Sequence, residues 1–300
     1  MQTGQLTRSS ALSQVAGIFD GLDVMEATRI DHKWRIGAFL NFLEQEPLGP
    51  NCYLNFKRYL ATRTDLSIST KNKYLVSARV LLRELTRRGD LDRDLTLNVR
   101  LFQQSKKHKR EGVTAKEMAR LGAYLASLEP SPATARLRAL VALLALQGLR
   151  QIEVQRLDIA ELDFVARTAL VRGKGRDDKE PVDLHPLTVQ ALRSYLKAAR
   201  LADGPLLPGR QRGGCAERMT VRAIYKLVAK AFAATGIDKT PHGLRHYFTT
   251  TLLEQYHGDL LEVRRYTRHQ GNEMLSIYDD RRRQQADLPR YYEAFSGVTL

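Results

Sequence analysis

Ten consecutive residues, Gln103-Gln104-Ser105-Lys106-Lys107-His108-Lys109-Arg110-Glu111-Gly112, contain no apolar side chain and carry a dense positive charge. Such a stretch has nothing to bury, so no hydrophobic core runs through it. It therefore divides the chain into a domain at 1–102, a basic linker at 103–112 and a second domain at 113–300. A chain of 300 residues is long enough for two separate cores.

Before the linker, from about Val24 to Phe102, the sequence predicts short amphipathic helices joined by polar turns. Trp34, Phe39, Leu40, Phe42 and Leu43 recur at helical spacing, and Tyr74, Leu75, Ala78, Leu81, Leu82 and Leu85 form a second apolar stripe. The remaining faces of that second helix carry Lys71, Lys73, Arg79 and Arg83, which suit phosphate contacts or an ordinary solvated face. Beyond the linker, Thr114 is placed to cap a helix reaching about Ser127. Leu137, Leu140, Val141 and Leu144 then mark a buried helix ending near Gln147-Gly148, so that Arg150 emerges just past it. The short runs 169–172 and 181–184 flank Gly173-Lys174-Gly175 and predict a β-hairpin, whose arginines Arg172 and Arg176 are further candidate DNA contacts. All else reads as helix: Leu187–Arg200, Val221–Ala234, Gly243–Leu253, Asp259–Tyr266, and a terminal amphipathic segment with Leu288, Tyr291, Tyr292, Phe295 and Val298. The expected fold is mainly α, two helical domains with one small antiparallel β-sheet in the second.

Charge narrows the class of partner. With Lys+Arg 48 against Asp+Glu 33 the net charge is +15 and the sequence pI is about 9.9, a balance that favours a polyanion. Lys106, Lys107, Lys109 and Arg110 in the linker suit a DNA backbone. The apolar run Ala139 to Leu146 is too short to span a bilayer, and the N-terminus lacks a signal-peptide core, so a cytoplasmic, nucleoid-associated protein without membrane attachment is expected. Two distant cysteines, Cys52 and Cys215, exclude a disulfide framework and a cysteine-rich zinc site.

Several dispersed residues carry chemistry: Arg150 in Gly-Leu-Arg-Gln-Ile-Glu, Lys174, His242 and Arg245 in His-Gly-Leu-Arg-His, His269 and Tyr278. Guanidinium forks suit non-bridging phosphate oxygens, imidazoles carry protons, and a phenol can be a nucleophile. Each has a plainer reading. Either arginine could pair with a buried carboxylate, with Glu153 the natural partner of Arg150. His242 and His246, four apart on a helix, could bind zinc, but the glutamate that a metalloprotease helix needs after the first histidine is replaced by glycine; no metal or other cofactor is expected.

In order and spacing these residues resemble the tyrosine recombinase (phage integrase) family. The resemblance implies an N-terminal core-binding domain and a C-terminal catalytic domain that close around DNA. It further implies that Arg150 and Arg245 offset charge on the scissile phosphate, that His242 and His269 handle protons or support the site, and that Glu153 supports Arg150. Lys174 would protonate the leaving 5′ oxygen, with Lys179 on the same hairpin as an alternative, and Tyr278 would form a 3′-phosphotyrosyl bond. Double-stranded recombination sites would be the partners. A homo-tetramer on two such sites would exchange strands through a Holliday junction, with a monomer allowed in free solution, and the terminal segment would dock on a neighbouring protomer.

Two features depart from the family pattern. The hairpin runs Gly-Lys-Gly-Arg-Asp-Asp-Lys-Glu-Pro-Val, losing an arginine and gaining two aspartates, and Thr267-Arg268-His269 stands where many relatives have Leu-Gly-His. A type IB topoisomerase or telomere resolvase would share the chemistry, and a DNA-binding regulator that does not cut would share the fold. The short length argues against the first pair, and the complete residue set against the second.

Overall fold

The computed structural model describes residues 17–104, 112–173, 175–212 and 215–268, together with Val15, Leu275, Pro289 and Glu293; the side chains of 210–212, 215 and 216 are not described. Lys106, Lys107, Lys109, Arg110, Lys174, His269, Tyr278 and most of the terminal segment lie outside that set. The fold is mainly α, and it separates into two compact units between Lys106 and Lys107.

In the first unit, α1 (Glu26–Leu43), α2 (Cys52–Thr62) and α3 (Ile68–Arg88) enclose a core that includes Ile36, Phe39, Tyr53, Phe56, Leu75 and Leu82. Helix α3 starts where the Ser67 side chain accepts from Thr70 N, and stops at Gly89, whose φ of 85° is the left-handed conformation that glycine adopts without strain. Trp34 was expected in this core and instead is 72% exposed, beside Tyr74. The buried face of α1 is His32, Ile36 and Phe39, and Trp34 falls off that stripe.

The basic face of α3 also divides differently from the expectation. Lys71 is buried, its ammonium donating to Ala61 O at 3.2 Å and lying over the Phe102 ring. Arg79 donates to Val99 O at 2.6 Å with its guanidinium over the Tyr53 ring. Both side chains are taken up by the strap 99–102, which Asn72 also holds through paired hydrogen bonds to Phe102. Lys73 and Arg83 stay exposed, Arg83 paired with Asp94. Cys52 is a free, buried thiol, and burial pushes its pKa up to about 11.

The second unit opens with the expected cap: Glu117 N donates to Thr114 Oγ1, and Thr114 N to the Glu117 carboxylate, starting α4 (Ala115–Ser127). Then come α5 (Pro132–Ala145), the short α6 (Gln151–Arg156), a 3₁₀ turn and an antiparallel sheet of β1 (Leu162–Asp163), β2 (Thr168–Arg172) and β3 (Lys179–Asp183) in sequential order. The register pairs Thr168 with Asp183 and Arg172 with Lys179, so residues 173–178 connect the two strands. Helices α7 (Pro186–Ala199), α8 (Val221–Ala234), α9 (His242–Gln255) and α10 (Leu260–Thr267) complete the described unit.

Between α7 and α8 lies a hairpin that the sequence reading missed, β4 (Pro208–Arg212) with β5 (Cys215–Arg218). Its strands are rich in arginine and lack apolar alternation, so the pairing of backbone groups defines them where residue pattern does not. The core centres on α5, where Leu140, Leu143 and Leu144 pack against α7, α8 and α9. After α5, Thr188 Oγ1 donates to Gln147 Oε1 at 2.6 Å, and the chain turns at Gly148 with φ 58°. A Cβ there would lie 2.2 Å from Phe248 Cδ1.

Gly148→Ala should therefore combine left-handed strain with a steric clash and cost about 2–4 kcal/mol. Gly236, with φ 63° and open space around it, controls for backbone strain alone, and Gly236→Ala should cost about 1–2 kcal/mol. Urea midpoints of both variants check this; equal losses would mean that Phe248 yields without cost.

Candidate active site

Three segments distant in sequence converge beside α5. Leu149 is buried, and Arg150 follows as the residue before α6, with φ −75° and ψ 150°. Glu153, one turn into α6 and only 1% exposed, reaches back: Arg150 N donates to Glu153 Oε2 at 2.8 Å, and Arg150 Nη1 to Glu153 Oε1 at 2.7 Å. The plain reading of Arg150 as a carboxylate partner is thus realised in the structure. Its side chain nevertheless keeps 32% exposure, so the same guanidinium is anchored on one edge and open to solvent on another.

The second segment is α9. Arg245 lies inside, 4% exposed, and its guanidinium donates through Nη1 to Gly148 O and through Nη2 to Thr267 O at 2.8 Å. One buried side chain thereby joins the turn that precedes Arg150 to the end of α10. His242, at the first turn of α9, meets His246 edge to face with ring centroids 4.8 Å apart. His246 is buried, packed where Gly112 approaches so closely that a Cβ on the glycine would lie 2.6 Å from His246 Cβ. Val113 N donates to Gly243 O at 3.1 Å, which fixes the start of the second unit on the same helix.

The third segment is the end of α10. Arg268 takes φ 55° and ψ 36°, and its buried side chain donates from Nη2 to Glu153 Oε2 at 2.9 Å. The Glu153 carboxylate is thus held by two guanidiniums and a backbone N–H. Burial alone would push its pKa up; the charge of Arg268 and the hydrogen bonds and charge of Arg150 outweigh burial and hold it below its ordinary value. His269 is next in the chain, so its segment departs from this knot. The positions of His269, Tyr278 and Lys174 themselves are among those not described.

The hairpin that carries Lys174 is partly self-neutralised. Arg172 Nη2 donates to Asp177 at 2.8 Å, Arg176 Nη1 to Glu180 at 2.6 Å, and the alternative acid Lys179 is in an ion pair with Glu161. One of the two extra aspartates, Asp177, thus occupies Arg172, while Glu180 and Glu161 occupy Arg176 and Lys179. Arg156, at the end of α6, reaches Gly173 O at 3.4 Å and links this turn to the Arg150 helix.

A model of the phage integrase family matches residues 111–285. The chain belongs to the phage integrase family, the tyrosine recombinases. Tyrosine recombinase XerC of Lactobacillus delbrueckii subsp. bulgaricus is 33% identical over 225 residues, spanning 73% of this chain and 74% of that protein. Tyrosine recombinase slr0733 of Synechocystis is 33% identical over 150 residues, and there the chain spans about half of the relative, 48%. Among solved structures, XerH bound to palindromic difH substrate superposes with a TM-score of 0.70 at 20% identity, covering 95% of this chain and 84% of that one. A lambda integrase dimer bound to a COC′ core site gives 0.68 at 15%, covering 91% and 77%. At those identities the likeness speaks for the fold, which this tyrosine recombinase shares.

The depressed pKa of Glu153 has a signed consequence. Because the folded carboxyl binds its proton less readily than the unfolded one, the pairing stabilises the protein above pH 4.5, its ordinary value, and is lost as pH falls through the lower folded value. Glu153→Gln should lower stability near neutral pH and flatten the acid limb of a stability-against-pH curve below that value. Coincident acid limbs in wild type and variant, measured as urea midpoints, would mean that the pairing does not persist in solution.

Proposed function

We propose that this chain is a site-specific DNA recombinase that cleaves and rejoins strands through a 3′-phosphotyrosyl intermediate on Tyr278. The observation that carries the reading is the knot around Arg245 and Glu153. It holds an anchored but solvent-facing Arg150, the His-x-x-Arg helix and the root of the His269 segment in one place. Rigid cations placed before the substrate arrives stabilise charge that develops on the equatorial phosphate oxygens without reorganising during reaction.

In the proposed step the phenolic oxygen of Tyr278 bonds to phosphorus and the bond to the 5′ oxygen breaks. The phenol proton passes to an imidazole, for which His242 is our assignment, and Lys174 donates a proton to the departing 5′ oxygen. A 5′ hydroxyl of a partner strand then attacks the phosphotyrosine and releases Tyr278. The phosphodiester energy is kept in the covalent bond, so the cycle requires neither nucleotide hydrolysis nor a metal. We assign the N-terminal unit to core binding, the basic linker to the DNA backbone, and a tetramer on two sites to strand exchange through a Holliday junction. One lambda integrase structure of similar fold is a tetramer bound to a Holliday junction.

Tyr278→Phe removes one oxygen and keeps the ring. It should bind DNA normally and give no covalent adduct on a nicked suicide substrate; adducts at wild-type yield would place the nucleophile elsewhere.

A 5′ alkoxide needs a proton to leave, whereas a 5′ thiolate does not. Lys174→Ala should therefore cleave ordinary DNA at least tenfold more slowly but cleave a substrate with sulfur at the 5′ bridging position nearly as fast as wild type. Arg150→Ala should gain nothing from sulfur. Equal slowing of Lys174→Ala on both substrates would make Lys174 a binding residue.

A further inference from the structure

We propose that Arg268 is a positioning residue of the active site, holding Glu153 so that Arg150 stays fixed and the cluster stays cationic toward a phosphate. The inference rests on the strand-cleavage reading above. A glutamate buried beside one arginine makes a neutral pair, and a neutralised Arg150 attracts a phosphate weakly. The second guanidinium changes that balance: Arg150 and Arg268 with one Glu153 carboxylate leave one net positive charge. Of the two guanidiniums Arg150 is the one that meets solvent, 32% exposed against 7% for Arg268.

Three observations set Arg268 apart from an ordinary structural arginine. Its backbone adopts φ 55°, a conformation in which a side chain is strained and glycine is not. Its Nε and Nη1 are buried and meet no acceptor among the described residues, so its charge is not consumed by local hydrogen bonds. The one hydrogen bond its side chain makes among the described residues, at 2.9 Å, is to the Glu153 oxygen that also accepts from Arg150 N. Backbone strain and unmet donors are costs, and the contact with Glu153 is what they accompany.

The backbone geometry makes a clean test available, since Arg268→Gly relieves the strain at φ 55° while removing the side chain. Single-turnover adduct formation on a nicked suicide substrate would be measured against DNA concentration for wild type, Arg268→Gly, Arg268→Lys, Arg150→Ala and the double variant Arg150→Ala with Arg268→Gly. Denaturant midpoints of Arg268→Gly, Glu153→Gln and their double variant would be measured alongside. The proposal expects the maximal rate of Arg268→Gly to fall about tenfold or more, with half-saturating DNA changed less than twofold. It also expects partial recovery in Arg268→Lys, no further loss when Arg268→Gly is added to Arg150→Ala, and non-additive midpoints. A wild-type rate in Arg268→Gly overturns it, as do independent losses in the Arg150→Ala background or strictly additive midpoints. Wild-type protein that forms no adduct at all sinks the strand-cleavage reading instead, and with it any catalytic task for Arg268, even where the midpoints show the contact.

Discussion

The second unit depends on one buried guanidinium. Arg245 sits in the interior on α9 and spends its donors on two backbone carbonyls, Gly148 O and Thr267 O. One carbonyl lies just past the end of α5 and the other belongs to the last residue of α10, where acceptors lack intrahelical partners. A buried charge is tolerated only when it is hydrogen-bonded, and those carbonyls lack donors unless something supplies them. Each need meets the other. The result is that the turn before Arg150, the His-x-x-Arg helix and the root of the His269 segment are held in one relation.

A second layer of charge is built on that scaffold. Glu153 is almost wholly buried, yet its pKa is held down because Arg268, 115 residues away, and Arg150, three residues away, converge on it. Losing either arginine would leave the buried carboxylate paired with one cation and short of a hydrogen bond that it now accepts. Surface pairs elsewhere, such as Arg172 with Asp177 on the hairpin, are solvent-screened and contribute little to stability. Their effect is on which cations of the hairpin remain available to DNA, and here Asp177 holds Arg172, Glu180 holds Arg176 and Glu161 holds Lys179.

The helices whose apolar residues recur with helical period were legible in the chain: α4, α7 and α8 lie within a residue or two of where the pattern put them, and α3 contains its stripe but starts at Ile68, six residues before Tyr74. The stripe on α1 was read correctly as a helix and incorrectly in detail, since Trp34 matches the spacing loosely but lies beside the buried line of His32, Ile36 and Phe39. The hairpin β4–β5 had no such signature. Likewise nothing in the order of residues indicated that Lys71 and Arg79 would turn inward, because the strap at 99–102 lies twenty residues downstream of Arg79 and farther still from Lys71.

By itself the sequence determined the predominance of helix, the basic character and the family, because each of these follows from local periodicity, composition or the spacing of a few reactive residues. It also singled out Arg150, His242, Arg245 and Glu153, since their chemistry is unusual wherever they fall. Only the tertiary structure decided what these groups touch. That Arg245 is a buried tether between two carbonyls, and that Arg268 closes on Glu153 from 115 residues away, depends on how α6, α9 and α10 pack. Hydrogen bonds of that kind are set by the three-dimensional meeting of helix ends, and no period in a linear chain encodes them.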